Sequence, residues 1–269
     1  MKRVNDILKG NVLTPKIAHT SLKPSTDYHN SFDKFTCPIC LDRGIVLEGD
    51  IAHPCSCMQS KKIENQFRHA RISRELMNCR LDKFRFDYYS SEMTDVHREG
   101  AVRALKAAKS FVDDCLRTPY GLGIMFTGPV GSGKTYLAAS IANELMDSHL
   151  KVLFLVVPDL LDELRATYKS DLNELDLLDT ARTIPILILD DLGAHNYTDW
   201  TRNRLYSIIN YRLNEQLPTV ITSNLSLDEM EDYIGIRTTS RIIQSSRIFR
   251  LTVQKDIRLQ IYQEREGKI

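Results

Sequence analysis

The sequence predicts an α/β protein, a parallel sheet with helices on both faces, preceded by a small cysteine-rich module. Three observations predict it. Residues 128 to 135, Gly128-Pro129-Val130-Gly131-Ser132-Gly133-Lys134-Thr135, satisfy every constrained position of the G-x-x-x-x-G-K-[ST] phosphate loop. From about Thr94 onward helical and strand patterns alternate, the signature of strands joined by crossover helices. Four of the six cysteines lie between residues 37 and 57.

Length and composition set the frame. At 269 residues the chain has room for one sizeable domain and an appendage. No run approaches the roughly 18 apolar residues of a membrane span, and the polar start Met1-Lys2-Arg3-Val4-Asn5-Asp6 lacks the apolar core of a secretory signal, so a cytoplasmic protein with no membrane partner is expected. Net charge is near zero but unevenly spread. Residues 1 to 90 hold 15 Lys/Arg against 10 Asp/Glu, and the remainder 21 against 25. A mildly basic front is compatible with nucleic acid, with an acidic protein face or with a solvated surface. The expected division is an amino-terminal module over 1–75, a linker over 76–92 and a nucleotide-binding domain over 93–269.

The amino-terminal module reads as a zinc site. Cys37-Pro38-Ile39-Cys40 and Cys55-Ser56-Cys57 flank a Gly-containing stretch expected to form a turn or hairpin. In a reducing compartment such thiols seldom persist as disulfides, whereas four thiolates close a tetrahedron around Zn²⁺. A segment with few large apolar residues needs that energy, on the order of 10 kcal/mol, to hold a fold. Cys37, Cys40, Cys55 and Cys57 are the favoured ligands; the tight C-x-C knuckle leaves His53 as an alternative to one of them. Cys79 and Cys115 read as small core residues. Lys61 to Glu75 carries basic residues around Ile63, Phe67 and Ile72, the pattern of an amphipathic helix. Leu81 to Tyr89 reads as a connector whose aromatics settle on the next domain.

In the second domain a helix is expected through Val102, Leu105, Ala108 and Val112, and strands near 124–127, 152–157, 186–190, 219–223 and 248–253. Ligands on such sheets sit at the carboxyl ends of strands. The phosphate loop follows the first strand, so the loop residues Gly128, Pro129, Val130, Gly131, Ser132 and Gly133, whose backbone N–H groups (Pro129 apart, which has none) can face the phosphates, and the start of the next helix, through Tyr136, are candidates for ATP binding. Lys134 is placed to bridge the β- and γ-phosphates and Thr135 to ligate Mg²⁺. Ile186-Leu187-Ile188-Leu189-Asp190-Asp191 ends a buried strand on two acids. Asp190 can hold magnesium opposite Thr135, and Asp191 is the candidate base for the attacking water, although Glu is usual there and the shorter Asp lies further off. Asn224, closing Thr219-Val220-Ile221-Thr222-Ser223-Asn224, can orient that water; an ordinary strand-to-loop transition reads the same way. Arg237 and Arg241 lie four apart on one helical face, fitting either a phosphate contact in a neighbouring subunit or a salt-bridged surface helix.

Together these stretches resemble bacterial replicative helicase loaders of the DnaC/DnaI type, members of the AAA+ ATPases with an IstB-like core, over about residues 35 to 260. The carrying residues are the two cysteine knuckles, the phosphate loop, Leu189-Asp190-Asp191-Leu192-Gly193, Thr198-Asp199-Trp200 with Ile208-Ile209-Asn210-Tyr211-Arg212, Leu217 through Asn224, and Ser240-Arg241-Ile242. The resemblance implies a zinc module that binds a hexameric replicative helicase and an ATPase core that forms a homo-oligomer and engages single-stranded DNA. It implies that Arg241 acts in trans, that Arg237 is a nearby interface residue at the nucleotide, and that Asn224 is a sensor. A transposition accessory ATPase of the IstB type and a nucleotide-gated adaptor with little hydrolysis are the alternatives. Past Arg241 the sequence reads as one strand and a short charged helix, so no helical lid domain is expected. The resulting open site predicts weak ATPase activity in a monomer.

Overall fold

The computed structural model describes residues 37, 39–40, 42–48, 51–55, 57–58, 70–89, 95–167, 171–194 and 197–267. The chain divides into two units, one ending at Cys55 and the other starting at Ser56. In the first, β1 (Ile45–Glu48) and β2 (Ile51–Pro54) pair antiparallel, with Ile45 opposite Pro54 and Glu48 opposite Ile51. This is the hairpin expected between the knuckles.

The second unit is built on five parallel strands: β3 (Gly123–Thr127), β4 (Val152–Val156), β5 (Ile186–Leu192), β6 (Thr219–Ser223) and β7 (Ser246–Arg250), in the order β4-β5-β6-β3-β7. The chain leaves β3 for the far edge, returns through β5 to β6 at its side, and finally places β7 on the other side. Its connections are α1 (Val96–Arg117) before β3, α2 (Lys134–Asp147), α3 (Val157–Thr167), α4 (Asp171–Thr183), α5 (Asp199–Asn214), α6 (Leu227–Ile234), α7 (Ile236–Ser245) and, after β7, α8 (Ile257–Arg265).

Strand alternation sends side chains to two apolar layers. Ile124, Phe126, Phe154, Ile188 and Val220 pack with α1 and α2, whereas Met125, Leu155, Leu187, Leu189 and Ile221 pack with α3, α5 and α7. No residue before Ala70 belongs to either layer among the described residues. Residues 70–89 are part of the first layer through Ile72, Leu81 and Tyr89. Polar side chains of α2 hold this segment: Asn143 donates to the carbonyls of Leu76 and Cys79 at 2.8 and 2.9 Å, and Tyr136 Oη donates to that of Arg80 at 3.0 Å. Cys79 and Cys115 are both buried, and burial pushes the Cys115 thiol up to about 12.

The structure departs from the expected elements at three places. The last strand runs from Ser246 to Arg250: its partner β3 ends opposite it at Thr127, whose carbonyl accepts the final bond from Leu251 N–H at 2.8 Å, and beyond it Ile257 N–H bonds Gly131 of the phosphate loop. Val102 is exposed: the buried stripe of α1 runs through Ala101, Ala104, Leu105, Ala108, Phe111 and Val112, and one residue of offset turns a side chain by about 100°. Of the helix expected over 61–75, residues 61–69 lie outside the described residues, and after Ala70 the chain is turn and extended.

Arg212, at the end of α5, is buried. Its guanidinium donates to Thr219 Oγ1 and to the carbonyls of Ala181, Arg182, Ile184, Pro185 and Pro218, at 2.7 to 3.2 Å. It therefore ties together the chain entering β5 and β6, and burial pulls its pKa down to about 9. Arg212→Met, similar in bulk, strands these oxygens without a donor. Denaturant unfolding is expected to show a loss of about 3 kcal/mol or more; an unchanged midpoint would show that the carbonyls find other donors.

Candidate functional site

The nucleotide cradle forms where β3 ends and α2 begins, between β6 and β7, a point at which the strand order switches direction. Gly128 adopts φ 141° and a Cβ there would lie 1.8 Å from Leu251 O; Gly133 adopts φ 88° and a Cβ would lie 2.5 Å from Tyr89 Oη. Only glycine permits this curl and this closeness of its supports. The loop is braced from outside. Tyr89 Oη donates to Ser132 O at 2.7 Å, and the N–H of Ile257 donates to Gly131 O at 3.0 Å.

Lys134 opens α2 and is buried, with Nζ donating at 2.8 Å each to Gly128 O, Pro129 O and Asn224 Oδ1. Burial pulls its pKa down to about 8, against the pull of Asp191 and Asp190 in the other direction. Thr135 Oγ1 donates to Asp190 at 3.0 and 3.2 Å, and Thr222 Oγ1 donates to Asp190 Oδ1 at 2.6 Å. Asp190 is itself buried, which raises its pKa even though both hydroxyls lower it.

Asp190 and Asp191 sit at a register break in β5 between Leu189 and Leu192, and Asp191 takes the left-handed value φ 59°. Such a conformation in a non-glycine residue costs on the order of 1 kcal/mol and recurs at working sites. Its N–H donates to Thr222 Oγ1 at 2.9 Å, and its carboxylate accepts from Asn224 Nδ2 at 2.7 Å. Asn224 thus joins the Lys134 ammonium to the Asp191 carboxylate, while Thr222 joins the two acids.

The structure brings Lys134, Thr135, Asp190, Asp191 and Asn224 into one hydrogen-bonded set at the carboxyl ends of β3, β5 and β6. Arg237 and Arg241 are elsewhere. They lie on α7, which enters β7 at its amino end; Arg237 is exposed, and Arg241 donates to Gln244 Oε1 at 3.0 Å. Arg241 lines a cavity with Gly121 and Leu122, which lead into β3, and Leu217, which leads into β6. It is therefore at the amino edge of the sheet, a strand's length of about 17 Å from the carboxyl edge.

Sequence reading passed over four contributors. Thr222 stands in the stretch Thr219 to Asn224, and its value lies in facing Asp190 across the β5–β6 ladder. Tyr89 and Asp256 are far from the loop in sequence, and a Cβ on Gly131 would lie 2.1 Å from Asp256 Cγ. Tyr197 Oη accepts from the N–H of Gly193 at 3.0 Å, just past the acids. A polar residue directly after a strand's apolar run was the available signal for Thr222; pairing across distant chain segments leaves none for Tyr89 and Asp256, and Tyr197 bonds Gly193, four residues away, only because the chain turns after β5.

The oxygen donors of Thr135 and Asp190 suit a hard cation, and the loop and Lys134 suit a triphosphate, so the residues fit Mg²⁺ and ATP. In the cysteine cluster the sulfurs of Cys37, Cys40, Cys55 and Cys57 all lie within 4.8 Å of one another. Cys37 and Cys55 are 3.8 Å apart, the edge of a tetrahedron with metal–sulfur bonds of about 2.3 Å. The N–H of Gly44 donates to Cys40 Sγ at 3.3 Å, a contact that favours thiolate. His53 is exposed on β2 and is not in that cluster.

Fold and site together define a phosphate-loop ATP-binding protein of the AAA+ class. The family model described as IstB-like ATP binding protein matches residues 56–253, and the chain belongs to that family. Among relatives, the replicative helicase loader DnaI of Bacillus subtilis (strain 168) is 27% identical over 65% of this chain and 53% of its own length. The replicative helicase loader DnaC of Escherichia coli (strain K12) is 25% identical over 68% of this chain and 71% of its own. The chain thus spans about half the length of the first and under three quarters of the second. The crystal structure of the DnaC helicase loader superposes with a TM-score of 0.56 at 26% identity, covering 68% of this chain and 100% of that one. The DnaI structure gives 0.56 at 29%, covering 67% and 95%. The AMPPCP-bound DnaA of Aquifex aeolicus, at 18% identity and a TM-score of 0.55, shares the fold. No helix among the described residues is long and apolar enough to cross a membrane.

Two outcomes follow from this geometry. Binding a triphosphate requires the Lys134 ammonium, so ATP affinity measured by calorimetry should fall as pH rises through about 8. Without nucleotide the sign reverses: from about 8 to about 10.4 the unfolded chain binds a proton the folded one has lost, so stability rises with pH. Lys134→Met removes that rise. Wild type should therefore gain stability relative to the variant between about pH 8 and pH 10; a stability difference constant with pH would contradict the assignment. Separately, metal analysis of purified protein should find about one zinc per chain. A chelator should release it with exposure of the four thiols, and metal-free protein with those thiols already reactive would contradict the cluster's role.

Proposed function

We propose that this protein is an ATP-controlled loader that holds a hexameric replicative helicase, assists its placement on single-stranded DNA and then releases it. The observation that carries this is the likeness to the DnaC and DnaI loader structures over two thirds of the chain, which takes in nearly the whole of each matched structure. In this reading the cysteine module that lies within residues 1–75 is the handle for the helicase, while residues 70–89 pack into the core of the ATPase domain.

The ATPase residues take the following parts. Backbone N–H groups of the loop and Lys134 hold the β- and γ-phosphates; Thr135 and Asp190 hold magnesium, which when bound neutralises charge on the phosphates. Asp191 and Asn224 orient the attacking water, with Asp191 as base. Its short side chain and its bond to Asn224 favour slow turnover suited to a switch.

Arg241 completes the site from a neighbour. Its place at the amino edge of the sheet puts it across the fold from its own phosphate loop, so it serves a phosphate only in an adjacent copy. Arg237, on the same face of α7, joins it at the interface. A homo-oligomer assembled on the helicase would then hydrolyse ATP and an isolated chain would hardly do so. The IstB-like family match also favours a second reading, an accessory ATPase acting with a transposition protein.

Co-purification with the host's replicative helicase separates the two. Wild type is expected to retain the helicase, and Cys37→Ser/Cys40→Ser is expected to lose it while still binding ATP; no retention by wild type would favour the transposition reading. Arg241→Ala should bind ATP normally and lose helicase-stimulated hydrolysis by at least about tenfold. Full stimulated activity in that variant would remove Arg241 from the site.

A further inference from the structure

Away from the nucleotide, a cavity of about 300 Å³ opens at the amino edge of the sheet, where α1 ends and the chain enters β3. Phe111 and Cys115 of α1 are buried and close its inner end, whereas Tyr120 and Leu122 are half exposed and stand at its mouth. It lies on the face of the sheet that carries α1: Arg247, which lines it, shares its side of β7 with Phe249, a member of the first apolar layer. The cavity lined by Arg241 is on the other face, among residues of α5 and α7, and Gly121 and Leu122 form the ridge common to both. That ridge is held by the N–H of Gly121, which donates to Gln216 O at 2.8 Å.

Two features give this cavity a preference. Its apolar surface continues past its own walls: Leu116, outside the cavity, is half exposed like Tyr120 and Leu122, so three large apolar side chains between residues 116 and 122 face solvent together. Its polar groups are two guanidiniums and one carboxylate. Arg117 is exposed and forms no ion pair among the described residues, and it offsets the negative carbonyl end of α1. Arg247 makes one hydrogen bond, from Nη2 to Asp114 Oδ2 at 3.3 Å, and its buried Nε has no acceptor among the described residues. A planar fork of five donors held by one long bond is underused, and the partner that suits it is a carboxylate gripped by two prongs. The lining as a whole therefore favours an anionic group beside an apolar one.

We propose that this cavity is a docking site for a protein partner, and that it takes an aromatic side chain flanked by acidic residues in the partner's chain. The ring enters against Phe111 and Leu122; one flanking carboxylate displaces Asp114 from Arg247, and the other meets Arg117. A peptide segment is the occupant rather than a small molecule because Leu116 lies outside the cavity and is covered only by a ligand that extends across the surface. Asp114 is then the competitor that keeps Arg247 in place until the partner arrives, which gives the two residues opposite effects on binding. The site is at the far end of the strands from the phosphate loop and needs no nucleotide.

Full-length isotope-labelled protein is titrated with the blocked tripeptide acetyl-Asp-Phe-Asp-amide, and backbone amide shifts are followed by NMR. The amides of Tyr120, Gly121 and Leu122 should move, with a dissociation constant on the order of 1 mM, as expected for so small a probe. Acetyl-Lys-Phe-Lys-amide and acetyl-Asp-Ala-Asp-amide should move them little. No movement with the first peptide at about 10 mM, or equal binding of all three, would overturn the site. Phenylacetate binding as tightly as the first peptide would overturn the peptide reading in favour of a small-molecule pocket. Variants then test the charges: Arg247→Gln should weaken the acidic peptide at least about threefold, and Asp114→Asn should strengthen it about twofold or more. Weakening by Asp114→Asn would overturn the displacement of Asp114. Each variant is checked for wild-type ATP binding; if Arg247→Gln fails that check, Tyr120→Ala, at the mouth of the cavity, replaces it and must weaken the peptide.

Discussion

The charge of Lys134, held out of water among carbonyl oxygens and the Asn224 amide, is the constraint around which the second unit is arranged. A buried ammonium is costly unless its donors are met, and here two carbonyls of the curled loop and one side chain from β6 meet them. That requirement fixes the path of the loop and the end of β6 together. Through Asn224 it reaches Asp191, and through Asp191 and Thr222 it reaches Asp190 and Thr135. The five site residues behave as one polar network in which moving any member leaves another without a partner.

Such a network needs a rigid frame, and the frame is supplied by contacts remote in sequence. Tyr89 and Ile257 brace the phosphate loop from opposite directions, one from the segment ahead of α1 and one from the start of α8. Arg212 performs the matching task at the other edge of the sheet, where it fixes the entries to β5 and β6 and hence the register that brings Thr222 opposite Asp190. The strained Asp191 is tolerated because the β5 bulge, the Thr222 hydroxyl and the Asn224 amide all determine its position.

Much of this was legible in the sequence because local chemistry dictated it. The phosphate loop is a backbone shape that only its glycines allow, and the buried strands are unbroken apolar runs, so β3, β5 and β6 could be placed to within a residue or two. Cys37, Cys40, Cys55 and Cys57 announced a cluster by spacing alone. What stayed hidden depends on the third dimension. Val102 had the right composition for the core and the wrong helical phase; β7 ends where its partner strand β3 ends, at Thr127. Arg212 stood in the sequence only as the last residue of the stretch Ile208 to Arg212, because nothing nearby in sequence shows that six oxygens converge on it. Tyr89 and α8 gain their meaning only when the fold carries them to the loop.

Every role assigned to the second unit requires a triphosphate held between Lys134 and the acids of β5. Titration calorimetry of ATP into wild type, Lys134→Ala and Asp190→Ala, each with magnesium and with chelator, tests it most directly. Wild type should bind tightly and more so with magnesium, Lys134→Ala should lose nearly all binding, and Asp190→Ala should keep a weaker affinity that magnesium no longer improves. ATP binding by Lys134→Ala at wild-type strength, or an undiminished magnesium effect in Asp190→Ala, would contradict it.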